Sequence, residues 1–201
     1  MKPMITLLCA GLLSVSLHAT NADATGRVNV RGAHENAEGG VAAGSVTAYR
    51  GPDGTRGVHG HVVSTDGAGD VTRARGSAAV GATGGHYKRG ARTTYGADGS
   101  IQHQAGFRAV GPNGSTAHSN GSFSRNADGS YNGQRSTQST GANGGSYDAD
   151  TQYANGSGTR ATTATGANGN TYDGETSWTR GEGATHTATC YDAAGNTIAC
   201  H

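Results

Sequence analysis

Four-residue turn signals recur at a fixed fifteen-residue interval along most of the chain. They read NAEG at 36, GPDG at 51, DGAG at 66, GATG at 81, GADG at 96, GPNG at 111, NADG at 126 and GANG at 141. The fourth position is always glycine: Gly39, Gly54, Gly69, Gly84, Gly99, Gly114, Gly129 and Gly144. A fixed period limits the fold strongly, because each unit must take an equivalent place in a serial architecture. Pro52 and Pro112 stand second in their turns, where a fixed φ helps. Asp or Asn in third place tolerates left-handed backbone, and the following glycine takes a positive φ at little cost.

Between turns lie eleven residues, as in SIQHQAGFRAV (100–110), with small and polar types interleaved with Val, Thr, Tyr and Phe. They carry no helical apolar stripe and no capping signature, so they read as strands. The sequence therefore predicts an all-β fold. The simplest form is a serial antiparallel meander of about eleven-residue strands joined by four-residue turns. A β-roll or solenoid is the rival, and partial disorder is the third possibility.

If each turn is a symmetric hairpin, Gly60 faces Arg75, and the row continues through Gly90, Ala105, Asn120 and Arg135. In that register Val58, Phe107 and Tyr131 share a face with Lys88, Arg73, Arg92 and His103. The opposite face collects Val63, Tyr87, Tyr95 and Phe123 with Arg89 and His61. Neither face is cleanly apolar, unlike a sandwich. The expectation is a thin, wet sheet whose register is pinned by its turns.

Composition agrees with a thin sheet. The 201 residues include 36 glycines, but only two Phe and one Trp. So little large apolar surface cannot fill a conventional core. The formal net charge is +1, which does not match a strongly charged disordered chain. Basic residues outnumber acidic ones twelve to seven from Arg27 to Arg135, and acidic outnumber basic six to two from Ser136 onward. A basic body and an acidic tail suit head-to-tail association or contact with anionic polymers.

Lys2, the apolar run from Met4 to Leu17 and the small residues Ala22 and Ala24 fit an export signal cleaved near Ala24. That run is too short for a stable membrane span, and no second one follows. The expected organisation is a signal over 1–24, a regular repeat region over 25–150, and irregular shorter strands over 151–201. Cys190 and Cys200 flank a turn almost symmetrically, and in an exported chain they are expected to form a disulfide that staples the last hairpin.

Catalytic signatures are missing from the sequence: it has no GxSxG element, no Walker loop and no zinc-protease helix. A non-enzymatic protein without cofactor is the expectation. His59 and His61 alternate onto one strand face and are weak candidates for a metal, but a site needs three or four converging ligands. In the symmetric register His103 and His118 fall on the other face. The best binding patch in the sequence is Arg73, Arg75, Tyr87, Arg89, Arg92 and Arg108, since arginines interleaved with aromatics on a sheet hold polyanions. No strand face is suited to lipid and no aromatic girdle is evident, so stable membrane insertion is not expected.

With its GPNGS, GADGS and GANGN turns behind a signal-like start, the chain resembles uncharacterised secreted Gly/Asn/Thr-rich repeat proteins of Gram-negative bacteria. It is more loosely similar to curli-type assemblies. The resemblance implies no particular activity. Two roles are expected: a secreted surface or matrix scaffold that self-associates through open sheet edges, or an exported module that holds a polysaccharide or extracellular DNA.

Overall fold

The computed structural model describes residues 25–200. The signal expected over 1–24 therefore lies outside the described residues. Thirteen strands follow one another: β1 (Gly26–Glu35), β2 (Val41–Arg50), β3 (Arg56–Thr65), β4 (Val71–Val80), β5 (His86–Tyr95), β6 (Ile101–Val110) and β7 (Thr116–Arg125). They continue as β8 (Tyr131–Thr140), β9 (Ser146–Ala154), β10 (Ser157–Thr165), β11 (Thr171–Thr179), β12 (Gly183–Tyr191) and β13 (Thr197–Ile198). They form one open antiparallel sheet in sequence order, β1 through β13. This is the serial meander, with ten-residue strands in β1–β8 in place of eleven.

The turns explain the regularity. In the first, the Gly39 N–H donates to the Asn36 carbonyl at 3.2 Å and the Asn36 N–H to the Gly40 carbonyl at 2.9 Å. Gly39 itself has a φ of +77°. This is a three-residue loop in which a tight turn ends in a left-handed glycine, forming a bulge. All eight periodic glycines have positive φ. Side chains lock the loops further. Asp53, Asp98, Asn113, Asp128 and Asn168 stand third in their turns, and the carboxylate or amide oxygen of each accepts the N–H two residues on, as in Thr55 to Asp53 at 3.0 Å and Ser100 to Asp98 at 2.8 Å. Where Asn36 or Asp66 stands first, it accepts N–H groups two and four residues on. The β9–β10 connection differs: Asn155 and Gly156 both take positive φ, which gives a two-residue hairpin turn.

The loop type corrects the register. Because Asn36 pairs with Gly40, the hairpin centre sits half a residue beyond that of a symmetric four-residue turn. Gly60 pairs with Gly76, not Arg75, and the row runs on through Gly90, Gly106, Asn120 and Ser136. His61 takes Arg75 as its partner. A one-residue slip exchanges the faces of alternate strands. In the observed register, all odd-numbered strand residues of β1–β9 share one face with the even-numbered ones of β10–β12.

Each strand touches only its neighbours in the sequence, so the described sheet has a single layer. The buried residues are small ones, including Ala42, Ala79, Ala149, Thr47 and Ser119, and no large side chain is fully buried. Stability comes from the hydrogen-bonded ladder, the loop locks and cross-strand side-chain pairs, each pair contributing about 0.2–1 kcal/mol. At the C-terminal end a disulfide joins Cys190 and Cys200, with Cα atoms 5.3 Å apart, and clamps β13 to the end of β12. A loop of this size contributes roughly 3 kcal/mol in the chain-entropy model.

Candidate polyanion-binding face

The observed register sorts the aromatic residues. Tyr49, Tyr87, Tyr95, Phe107, Phe123, Tyr131, Tyr147, Tyr153, Tyr172 and Trp178 share one face; of the chain's Phe, Trp and Tyr residues, only Tyr191 stands on the other. We call the first the aromatic face.

Charge is sorted with it. The aromatic face carries Arg27, Arg31, Arg73, Arg75, Arg89, Arg125, Arg135 and Arg160, against the single acid Glu35. The remaining acids of the described chain are in the turns or on the opposite face, where Asp148, Asp150, Asp173 and Glu175 sit. A chain of nearly zero net charge thus presents one strongly cationic surface.

The guanidinium groups are held by neutral partners. Arg89 Nε donates to Ser77 Oγ at 2.9 Å, and Arg135 Nε to Ser119 Oγ at 3.1 Å. Arg160 donates from Nη2 to the Tyr147 hydroxyl at 2.5 Å. Arg73 lies over the Tyr95 ring. These contacts orient the cations without cancelling their charge, so the field stays available to an anion. Ser119 is central to this support: it is 4% exposed, and its hydroxyl also reaches the Ser136 carbonyl and Thr137 Oγ1.

An open trough of about 940 Å³ runs across this face from β3 to β10. Ala91, Ala105 and Gly121 lie in one row along its floor, which Arg75 and Arg135 close at its two ends, with Arg89, Phe107 and Ser119 on one side and His103 and Phe123 on the other. Three small residues between those two arginines, with rings beside them, make the depression.

The structure divides the patch expected from the sequence. Arg73, Arg75, Tyr87 and Arg89 stand together on the aromatic face, whereas Arg92 and Arg108 project from the opposite face beside Lys88. The symmetric pairing also divides the set, with Arg73, Arg75 and Arg92 on one face and Tyr87, Arg89 and Arg108 on the other, and the one-residue correction in register changes which members stand together. The same correction brings His103 onto the face of His59 and His61, where the symmetric pairing set it opposite; His118 remains across the sheet. Among the described residues no group of three or more His, Cys, Asp or Glu converges as a metal site. His61 Nδ1 is 3.3 Å from Ser45 Oγ, and His103 Nδ1 is 2.8 Å from Thr93 Oγ1.

Arg125, Arg135, Arg160, Phe123, Tyr153 and Trp178 are members of the face that the symmetric register did not assemble. The signal for them was residue parity, which becomes readable once the glycine in each turn is recognised as a bulge. No helix among the described residues is long and apolar enough to cross a membrane. No protein-family model, curated protein or solved structure matches the chain.

Proposed function

We propose that this chain is an exported, non-enzymatic module of the cell surface or extracellular matrix that holds an anionic polymer on its aromatic face. The observation that supports this reading is the sorting of charge: eight arginines share one face with a single acid. Arginine beside aromatic rings suits long anionic ligands, since guanidinium groups pair with carboxylate, sulfate or phosphate while rings stack on flat units. The disulfide is compatible with an oxidising compartment, and the resemblance to secreted repeat proteins fits the same location.

The test is retention of the purified protein on heparin and DNA resins across a salt gradient. Strong, salt-dependent retention is expected, and it should fall sharply when Arg73, Arg75, Arg89 and Arg135 are changed together to Ala. Retention unchanged by that variant would refute the reading.

Self-association as a scaffold is the second reading, and the sheet edges favour it. Every residue of β1 is exposed, and β13 covers β12 only at Cys190 and Tyr191. Unpaired edges are templates for another strand. A monomeric elution volume at high concentration, with no fibres on prolonged incubation, would remove this second role.

A further inference from the structure

One row of the aromatic face alternates rings with glycines. Phe123 on β7 pairs with Gly133 on β8, which pairs with Tyr153 on β9, then Gly158 on β10, then Trp178 on β11. A methyl group built on Gly133 would meet the Tyr153 ring, and one on Gly158 would meet the ring of Trp178. Both rings therefore lie down across the glycine of the preceding strand, with the second ring face turned away from the backbone. Phe123 and Tyr153 have planes within 24° of each other and centroids 6.5 Å apart. The row is a strip of flat tiles.

The neighbouring row supplies cations at the same period. The strands that carry glycine in the ring row carry arginine two residues on: Gly133 with Arg135, and Gly158 with Arg160. The ring-bearing strands carry small or short residues there, Gly121, Thr151 and Thr176. β11 and β12 repeat the unit with Trp178, Ala184 and His186. The strands that carry ring and cation thus recur in pairs, about 10 Å apart in the backbone at the usual strand spacing. Tyr153 and Trp178 lean the same way, each over the strand before its own, and by that lean Tyr153 comes to 6.5 Å from Phe123. Arg135 and Arg160 are exposed and lean toward Ser119 and Tyr147, away from the rings.

We propose that this strip binds an acidic polysaccharide with one anionic group per disaccharide, its chain running across the strands. The inference rests on the anionic-polymer reading and gives it a substrate class. An extended chain of β-linked pyranoses advances about one strand spacing per sugar. Each disaccharide then sets one flat sugar face on a ring and one carboxylate or sulfate toward the guanidinium side. Single-stranded nucleic acid fits less well: it carries a charge on every nucleotide, and its bases stack at about 3.4 Å, far closer than these rings.

Trp178 is the sole tryptophan of the chain, so its fluorescence reports on the strip directly. The test titrates the full protein with hyaluronan oligosaccharides, which carry one carboxylate per disaccharide. Polygalacturonate, oligo-dT and heparin serve as comparators. Hyaluronan should shift Trp178 emission and bind more tightly than polygalacturonate or oligo-dT. Tyr153→Ala and Gly133→Ala, which remove or lift a tile, should weaken hyaluronan binding about tenfold, the size of one stacking contact. Tyr153→Phe should bind as wild type, and all three variants should keep the wild-type circular dichroism. Tightest binding to oligo-dT would overturn the proposal in favour of base stacking. Ring variants that hold every polyanion as wild type does would overturn it while leaving the arginine face standing. Failure to bind any of the four polymers would overturn both.

Discussion

The guanidinium of Arg73 lies 5.7 Å from the centroid of the Tyr95 ring, on a diagonal between β4 and β5. The pair shows how a sheet without a core keeps its long side chains in place: ring and cation cover each other and leave the charge facing outward. Tyr95→Leu should cost about 0.5–1 kcal/mol, the usual size of an exposed cation–π contact. Urea unfolding followed by circular dichroism would check it, and no change would mean that Arg73 gains nothing from the ring.

The division of the basic residues between faces makes a sharper prediction. Lys88→Ala, Arg92→Ala and Arg108→Ala together remove three charges from the face opposite the aromatic one. That variant should elute from heparin near the wild type. Removing Arg75, Arg89 and Arg135, an equal charge, should move elution to clearly lower salt. Equal shifts would show that total charge, not its placement, governs retention.

Gly99 has a φ of +85° and open space around the position of a Cβ. Substitution there meets no neighbour, so any cost comes from the left-handed backbone itself. Gly99→Ala should destabilise by about 1–2 kcal/mol, and Gly99→Asn by less. Chemical denaturation of the two variants would measure the difference. Hydrogen exchange should localise the loss to β5 and β6, because each strand rests only on its neighbours.

Acid should loosen some turns and spare others. Thr55 holds the Asp53 carboxyl below its ordinary pKa, chiefly through its backbone N–H. Ser100, Ser130 and Asn196 do the same for Asp98, Asp128 and Asp192, chiefly through their side chains. A group whose pKa is lowered on folding stabilises the fold above its unfolded value, and that contribution is lost as pH falls through the folded one. The loss should therefore occur below a pH of about 3.9. The turns at Asn113 and Asn168 accept the same N–H bond through an amide that does not titrate. Amide exchange between mildly and strongly acid pH should show the four Asp turns opening ahead of the Asn turns. Simultaneous opening would mean that these bonds do not control the turns.

Most of the fold was legible in the sequence, because glycine at a fixed period with Asp, Asn or Pro before it has few structural meanings. Strand direction, order and the terminal staple all followed from Gly39 to Gly144 and from the two late cysteines. The composition of the faces was harder to read. It depended on whether Asn36 closes its loop with Gly39 or Gly40, a difference of one residue that exchanges faces on every second strand. The symmetric choice separated Phe107 from Phe123 and Arg75 from Arg89, which in the sheet look out from the same side. The ring strip was less visible still, since Gly133 and Gly158 read as ordinary weak points in strands until the partners lying across them are known.

The parity of the register also bears on how such a chain can change. Fifteen is odd and residues of the same parity share a face over β1–β9, so a given repeat position stands on one face in one strand and on the other face in the next. Only the turns answer to the fifteen-residue beat; the chemistry of each surface is written every thirty, as from Phe123 to Tyr153. Duplicating one repeat would preserve the architecture while setting copied side chains on the wrong side. Duplicating two would lengthen the aromatic face by one complete unit. A lineage that grows its grip on a polymer would do so in pairs of strands, leaving loops that look alike and strands that do not.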